Sequence, residues 1–198
     1  MEANLYFLGY NISMKKIRVG VNGFGRIGRA FLKVAWDRPE IEVVAVNDLS
    51  DVANMAYLLK HDTAYGEWKH SIKVEGQEIV IDEKKVKVLA EKDPSKLPLR
   101  DLAVDVVVES TGIFVTYEQS KMHLDAGAKK VVISAPAKDS DKAGAASAQG
   151  SGAPKGETIL LGVNESKFGT CDITSNASCT TNAASPLIAI LDEGLGIE

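Results

Sequence analysis

A short glycine-rich segment carries the first pattern in the chain that could bind a ligand. Residues 23–28 have the sequence Gly-Phe-Gly-Arg-Ile-Gly, which matches the G-x-G-x-x-G spacing of dinucleotide-binding turns. Gly23 permits a tight turn, Gly25 lets the backbone approach a pyrophosphate, and Gly28 lets a helix pack closely on a strand. The N–H groups and the positive dipole end of that helix would face the phosphates.

An acidic residue at the end of the next apolar run fits the same cofactor. Asp48 follows Gly28 by about 20 residues, the offset at which a carboxylate binds the adenosine ribose. A carboxylate there repels the 2′-phosphate of NADP, so NAD is favoured. The alternative is a glycine turn followed by a surface aspartate that caps a helix near residue 51. Dinucleotide binding is the stronger hypothesis because strand, glycines, helix, strand and acid all agree.

A thiol is the second chemical candidate. Residues 175–182 have the sequence Ser-Asn-Ala-Ser-Cys-Thr-Thr-Asn and precede an apolar helix. Ser178 is a natural N-cap, which puts Cys179 at the first helical position, where the thiolate form is favoured. Ser178 and Thr180 add hydroxyls that could hold an oxyanion or a phosphate. A buried structural cysteine is the alternative for an isolated thiol.

Alternating strands and helices position these candidates. The hydrophobic periodicity predicts strands over 17–22, 41–46, 86–89, 104–108, 131–134 and 158–163, a hairpin over 71–74 and 78–81, and helices over 26–36, 51–60, 117–126 and 179–191. This order predicts an α/β fold with a Rossmann-type, doubly wound, mostly parallel sheet and right-handed crossovers. In the last helix Leu187, Ile188 and Leu191 are available for packing, and Pro186 predicts a kink.

The overall composition excludes several classes of protein. The chain has 198 residues, 45% hydrophobic and 25% charged, as in an ordinary globular protein. This length fits one domain with a substantial core plus part of another. A net charge of −4 argues against nucleic-acid binding, which needs clustered cations. No apolar run reaches the roughly 18 residues that a membrane span requires.

The small number of cysteines indicates the compartment of the protein, and two segments stand apart from the predicted fold. Cys171 and Cys179 are the only two cysteines, too few for a disulfide framework or a four-ligand zinc site, so we expect no metal. Few cysteines and no secretory signal suggest a reducing, cytoplasmic setting. Residues 1–14 are expected to be an extension or tag-like segment. Residues 138–155, rich in Ala, Gly and Ser, are expected to be a flexible surface loop.

Several segments together resemble glyceraldehyde-3-phosphate dehydrogenase. They are residues 21–29 (VNGFGRIGR), 46–49 (VNDL), 109–112 (ESTG), 132–136 (VISAP), 162–164 (GVN) and 175–182 (SNASCTTN). The resemblance runs from about Lys15 to the end of the chain, and the last segment is highly specific to this family and its nearest paralogues. It implies an NAD-binding domain over 15–178 and the first helix of a truncated catalytic domain over 179–198.

The resemblance also implies an activity and a set of site residues. The activity is NAD-dependent, phosphorylating oxidation of glyceraldehyde 3-phosphate by a homotetramer, with inorganic phosphate as the second substrate and Cys179 as the nucleophile that forms a thioester. Ser178 and Thr180 match the family's phosphate contacts. The implied cofactor residues are the turn glycines Gly23, Gly25 and Gly28, the pyrophosphate-binding Arg26 and Ile27, the ribose acid Asp48, and Lys92, Thr111 and Ser134 around the remaining NAD site.

One departure from the family pattern concerns the catalytic base. The family activates its cysteine with a histidine whose position would fall beyond Glu198. The three histidines present, His61, His70 and His123, do not match it by motif, and for each we expect surface or helix-face structure. Three hypotheses therefore stay open: part of a glyceraldehyde-3-phosphate dehydrogenase, an NAD-binding fragment without turnover, and the paralogous erythrose-4-phosphate dehydrogenase.

Overall fold

The computed structural model of the protein describes residues 15–138 and 156–197. The strands are β1 (Ile17–Asn22), β2 (Ile41–Asn47), β3 (His61–Asp62), β4 (Gly66–Glu67), β5 (Ile72–Glu75), β6 (Glu78–Ile81), β7 (Lys84–Leu89), β8 (Val106–Glu109), β9 (Lys130–Ile133), β10 (Gly156–Thr158) and β11 (Ile173–Ser175). The helices are α1 (Arg26–Trp36), α2 (Val52–Lys60), α3 (Tyr117–Asp125) and α4 (Cys179–Leu195). The predicted extension over 1–14, and all but the first residue of the 138–155 loop, lie outside the described residues.

One sheet organises the described part of the chain. Its nine strands lie in the order β10-β11-β9-β8-β1-β2-β7-β6-β5. Every neighbouring pair from β10 to β7 is parallel, and only β7-β6 and β6-β5 are antiparallel. Strands β3 and β4 form a separate short hairpin. This confirms the prediction of a Rossmann-type, mostly parallel α/β sheet, with an antiparallel extension at one edge.

Two apolar cores hold helices against the sheet. One contains Val21 and Val46 of the central strands, Leu32 of α1, and Met55 and Leu59 of α2. The other contains buried side chains of β8, β9 and β11 together with Tyr117 of α3. The central strands are therefore covered by helices, which fixes the positions of the loops that follow their carboxyl ends.

The strand predicted over 158–163 is wrong in position. The strand occupies Gly156–Thr158, and residues 161–163 form a turn instead. Gly162 has a φ of +76°, and the Asn164 side chain accepts the Leu160 N–H at 2.7 Å, so this segment bends away from the sheet. The apolar residues at 159–161 gave a strand-like pattern, although Leu161 is 73% exposed. Strand β11, three residues long, was not predicted.

The last helix is longer than predicted, and it is exposed along its length. Helix α4 runs to Leu195 with Pro186 inside it, and none of its residues is buried. Leu187, Ile188 and Leu191 were predicted to be available for packing, and all are exposed among the described residues. Within the described part of the chain, no helix combines the length and apolar character needed to cross a membrane.

Candidate functional site

The glycine-rich turn joins β1 to α1, and two of its glycines are required by the fold. Gly23 has a φ of +90°, and a Cβ there would lie 2.5 Å from the Thr111 backbone nitrogen. A Cβ on Gly28 would lie 2.1 Å from the Gly23 carbonyl oxygen. At Gly25, by contrast, a Cβ would meet no atom within 4 Å. Gly25 therefore leaves open space beside the backbone, as a bound phosphate requires.

Helix α1 begins in front of that space without a side-chain cap. Its N-cap is Gly25, which has no side chain to accept the first N–H groups. These groups have no partner within the helix, so the helix end is suited to an anion. Arg29 stabilises the turn, because its Nη1 donates to the Phe24 carbonyl at 2.9 Å. The turn thus offers donors and room for a pyrophosphate.

Asp48 is bound to the same turn. Its Oδ2 accepts the Phe24 N–H at 2.8 Å, and its Oδ1 accepts the N–H of Ser50 at 2.9 Å and the Ser50 hydroxyl at 2.7 Å. Burial raises the pKa of the Asp48 carboxyl, but the hydrogen bonds from Ser50 and Phe24 outweigh burial and hold that pKa below the usual 3.8. Asp48 is therefore a fixed carboxylate at the end of β2.

A cleft of about 520 Å³ opens between these groups. Its lining residues are Asn22, Gly23, Gly25, Asn47, Asp48, Leu49, Glu91, Lys92, Ser110, Thr111, Ile113 and Phe114. Five of the predicted cofactor residues, Gly23, Gly25, Asp48, Lys92 and Thr111, are thus brought together. They lie at the carboxyl ends of parallel strands, which is where open α/β sheets bind ligands.

Two other predicted cofactor residues line a different hollow. Ile27 and Ser134 contribute to a groove of about 560 Å³ between α1 and the sheet. Asn176, in the loop that leads to Cys179, lines the same groove. Arg26 begins α1 and, like Gly28, lines neither hollow. Seven of the nine predicted cofactor residues thus line one hollow or the other, five of them in the cleft and two in the groove.

A buried polar network that the sequence patterns did not predict lies beneath the cleft. Asn22, Asn47 and Glu109 are all buried, and each is the last residue of its strand. Asn47 Nδ2 donates to Asn22 Oδ1 at 2.7 Å, and Asn22 Nδ2 donates to Glu109 Oε2 at 2.6 Å. A polar residue closing each of three apolar runs was the signal available in the sequence.

The predicted nucleophile occupies the expected place in α4. Ser178 is the N-cap, since its Oγ accepts the Thr181 N–H at 3.0 Å, which confirms the predicted cap. Cys179 follows as the first helical residue and is exposed. The Oγ atoms of Ser178 and Thr180 are 2.8 Å apart. The second cysteine, Cys171, is buried, and its Sγ donates to the Ile173 carbonyl.

The backbone just before the thiol is strained. Ala177 has a φ of 57°, a left-handed conformation that costs a non-glycine residue roughly 1–2 kcal/mol. The Ser175 hydroxyl holds the bend by accepting the Ala177 N–H at 3.1 Å. Such strain is retained where the surrounding structure fixes it, and it is frequent at functional sites.

The three histidines have partners other than Cys179. His61 is exposed, with its ring 4.7 Å from that of Tyr57. His70 contacts the carboxylates of Asp37 and Asp82. His123 lies on helix α3, as the helix-face prediction has it, but this face is fully buried, with Nε2 2.9 Å from Glu109 Oε2. Among the described residues, none of them hydrogen-bonds to the thiol.

The fold and the cleft define a Rossmann-type dinucleotide-binding domain. The evidence is the parallel sheet, the glycine turn with its uncapped helix, and the acid at the end of the second strand. Residues 17–117 match the family described as "Glyceraldehyde 3-phosphate dehydrogenase, NAD binding domain". The chain therefore belongs to this family, and NAD is the cofactor of the matched domain.

Individual relatives that are similar to the chain carry the name of the same family. The glyceraldehyde-3-phosphate dehydrogenase of Mycolicibacterium smegmatis is 50% identical over 190 residues, which cover 91% of this chain and 52% of the relative. Glyceraldehyde-3-phosphate dehydrogenase 1 of Bacillus subtilis is 44% identical over 184 residues, 92% of this chain and 50% of the relative. The cytosolic enzyme of Trypanosoma brucei brucei is 42% identical over 181 residues. The chain spans about half the length of these curated relatives.

Proposed function

We propose that this chain supplies the cofactor domain and the nucleophile of an NAD-dependent, phosphorylating glyceraldehyde-3-phosphate dehydrogenase. The single observation that carries the proposal is the exposed Cys179 thiol at the capped start of α4, just after the strand end at Ser175, in the same sheet as the dinucleotide cleft. Backbone hydrogen bonds link the two along one edge of the sheet. Asn176 N donates to Ile133 O, Ser134 N to Glu109 O, and Ser110 N to Asn22 O.

The proposed chemistry begins at the sulfur of Cys179. Its thiolate adds to the aldehyde carbon of glyceraldehyde 3-phosphate, forming a C–S bond and a hemithioacetal. NAD bound in the cleft would supply the acceptor for the hydride of this carbon. The substrate is then a thioester of Cys179. An oxygen of inorganic phosphate attacks the thioester carbon, the C–S bond breaks, and 1,3-bisphosphoglycerate departs as the thiolate returns.

The other residues bind and orient the reactants. Gly23, Gly25, Gly28, Arg26 and Ile27 form the turn that receives the pyrophosphate. Asp48 accepts hydrogen bonds from the adenosine ribose. Lys92, Thr111 and Ser134 complete the cofactor site. The hydroxyls of Ser178 and Thr180, 2.8 Å apart, bind a phosphate group beside the thiol.

In this proposal residues 15–178 form the cofactor domain and residues 179–198 begin the catalytic one. The whole enzyme is a cytoplasmic homotetramer of glycolysis and gluconeogenesis. The chain by itself binds NAD without turnover, and among the described residues none of the three histidines hydrogen-bonds to Cys179. His123 is committed to Glu109 and His70 to two aspartates, so neither can serve as the base for Cys179.

Acyl transfer to Cys179 tests the proposal on the chain itself. Acetyl phosphate is the probe, because it donates an acyl group to a thiolate in the reverse of the phosphorolysis step. Peptide mass spectrometry should find a thioester on Cys179 and none on Cys171. Equal acylation of both cysteines, or no thioester on Cys179, would overturn the assignment of the nucleophile.

Cofactor and turnover measurements complete the test. NAD titration should show binding by the chain, and a Cys179→Ser variant should bind it equally well. NADH formation from glyceraldehyde 3-phosphate and phosphate should be negligible for the chain alone. Sustained NADH formation would refute the absence of turnover.

The substrate of the full-length enzyme separates the family from its paralogue. In the full-length enzyme, NADH formation that is faster with erythrose 4-phosphate than with glyceraldehyde 3-phosphate would favour the paralogous erythrose-4-phosphate dehydrogenase.

A further inference from the structure

A buried carboxylate beneath the cofactor cleft receives four hydrogen bonds. Glu109 is 1% exposed. Its Oε1 accepts the backbone N–H of Thr111 at 2.8 Å and also the Thr111 hydroxyl. Its Oε2 accepts Asn22 Nδ2 at 2.6 Å and His123 Nε2 at 2.9 Å. A carboxylate has about four lone-pair sites, so each site of Glu109 is occupied by a donor.

The direction of these hydrogen bonds is fixed by the backbone. Asn47 Oδ1 accepts the Glu91 N–H at 2.8 Å, and Asn47 Nδ2 donates to the Glu91 carbonyl at 2.8 Å. The Asn47 amide therefore has one allowed orientation, in which Nδ2 also faces Asn22 Oδ1. Asn22 must then present its own Nδ2 to Glu109. The side chain at position 109 consequently has to accept hydrogen bonds both from Asn22 and from Thr111.

The hydrogen-bond network around Glu109 reaches residues that line both walls of the cleft. Asn47 and Glu91 line one wall, and Thr111 lines the other. Ser110, next to Glu109, donates its hydroxyl to the Gly23 carbonyl at 2.7 Å, so the loop after β8 also supports the glycine turn. Helix α3 secures that loop through His123 and through the buried Ser120, whose hydroxyl donates to the Phe114 carbonyl. Glu109 itself is absent from the cleft lining.

We propose that Glu109 is a positioning residue for the cofactor. It fixes Thr111 and the loop to Phe114 in the conformation that receives NAD, and it ties that loop to the ends of β1 and β2. This proposal rests on NAD binding in the cleft, which is part of the proposed function. If the loop is already ordered in the free protein, NAD binding does not lose free energy in ordering it, and the affinity for NAD is higher.

The variant Glu109→Gln tests this role with almost no change in shape. Whichever way its amide is turned, the NH₂ group faces donors, either Thr111 or the Asn22 and His123 pair. We expect the Kd for NAD to rise by about tenfold or more. Amide hydrogen exchange at Thr111 should accelerate, because one orientation of the amide removes the acceptor of its N–H and the other breaks the bond to Asn22 that holds residue 109 in place. The control is Val107→Ala in the same strand, which is buried and lies outside the cleft lining.

The comparison with Val107→Ala separates positioning from stability. Both variants should lower Tm, but Val107→Ala should leave the Kd for NAD within about twofold of the parent. A purely structural Glu109 would give the same result in Glu109→Gln, with Tm lowered and Kd unchanged, and that result would overturn the proposal. Unchanged exchange at Thr111 in Glu109→Gln would overturn it too, and this readout does not depend on NAD. A parent chain without NAD affinity would instead refute the proposed function.

A second variant keeps the test decisive if Glu109→Gln does not fold. His123→Leu removes one donor from Glu109, and His123 does not line the cleft. Among the described residues its side chain has Glu109 as its hydrogen-bond partner, so we expect its effect on NAD to act through Glu109. We expect faster exchange at Thr111 and a rise in Kd of a few-fold, less than about tenfold. A Kd and a Thr111 exchange rate both equal to those of the parent would exclude the positioning role.

Discussion

The cofactor cleft and the segment around Cys179 are built in opposite ways. Beneath the cleft, Asn22, Asn47 and Glu109 are buried and hydrogen-bond to one another across three strands. Helix α4, by contrast, has no buried residue. Its first turn is anchored by Asn182, whose Nδ2 donates to the Asn176 and Ser178 carbonyls at 2.7 and 2.9 Å. The cleft is thus organised by the sheet, whereas the thiol is held by a local cap.

This difference implies that cofactor binding and thiol reactivity are separable within the chain. The cleft has its donors, its carboxylate and its open space without any contribution from α4. The exposed thiol depends on the cap formed by Ser178 and the strained backbone at Ala177. Changes in one region should therefore leave the other almost unaffected.

The largest effect is expected for Gly28→Ala. The new Cβ would lie 2.1 Å from the Gly23 carbonyl oxygen, a backbone atom that cannot move without displacing the turn. We expect a loss of about 3 kcal/mol in the free energy of unfolding and no detectable NAD binding. Urea unfolding and NAD titration measure the two effects.

The matched control for Gly28→Ala is Gly25→Ala. A Cβ at Gly25 would meet no atom within 4 Å, so the free energy of unfolding should change by less than about 1 kcal/mol. NAD affinity should still fall, because the methyl group fills the space left for the pyrophosphate. Normal NAD affinity in Gly28→Ala would contradict the close packing of turn and helix.

The next largest effect concerns the two thiols. Cys179 is exposed, whereas Cys171 is buried and reacts only after local opening. We expect iodoacetamide to alkylate Cys179 at least about 100-fold faster than Cys171 in the folded chain. Peptide mass spectrometry after timed quenching gives both rates. The Gly25→Ala variant should have the same Cys179 rate as the parent, and a large change would show that the two regions are coupled.

Replacing the cleft carboxylate should have a smaller effect. Asp48→Ala removes the acceptor of the Phe24 N–H and the charge that repels a 2′-phosphate. We expect NAD affinity to fall by about tenfold and the preference for NAD over NADP to shrink. Parallel titrations with both dinucleotides measure this. An unchanged preference would mean that another group excludes the 2′-phosphate.

The lowered pKa of Asp48 also predicts a pH dependence. A carboxyl whose pKa is lower in the folded state stabilises the fold fully above its unfolded value, and this stabilisation is lost as pH falls through the folded value. For Asp48 the loss should therefore occur below the usual pKa of 3.8. Free energies of unfolding against pH, compared between the parent and Asp48→Asn, should differ in slope there. Parallel curves would contradict the lowered pKa.

The features that could be predicted from the sequence are those formed by residues close together in the chain. The strand, glycine turn and helix over 17–36 lie within one short stretch, and the predicted bounds match β1 and α1. The Ser178 cap is equally local, because it joins residues three positions apart. Each of these features depends on a few consecutive residues, so one sequence is enough to reveal them.

The network beneath the cleft was missed for the opposite reason. Its central bond joins Asn22 and Glu109, which are 87 positions apart. The burial of His123 could not be predicted, because nothing near it in sequence shows that α3 turns this face toward Glu109. Ser134 was predicted to join the cofactor residues, but whether it lies in the same hollow depends on how α1 packs on the sheet. Only the tertiary fold decides these points.

The smallest effect is expected for Ser178→Ala, and it tests the comparison most directly. Removing the N-cap hydroxyl costs about 1 kcal/mol of helix stability. Because α4 has no buried residue, this loss should appear as faster amide exchange at Thr181 and not as lower global stability. Ser185→Ala, inside the same helix and away from the cap, should leave Thr181 exchange unchanged. If Ser178→Ala instead lowered the global free energy of unfolding by its full cap energy, α4 would unfold together with the sheet, and the two regions would form one cooperative unit.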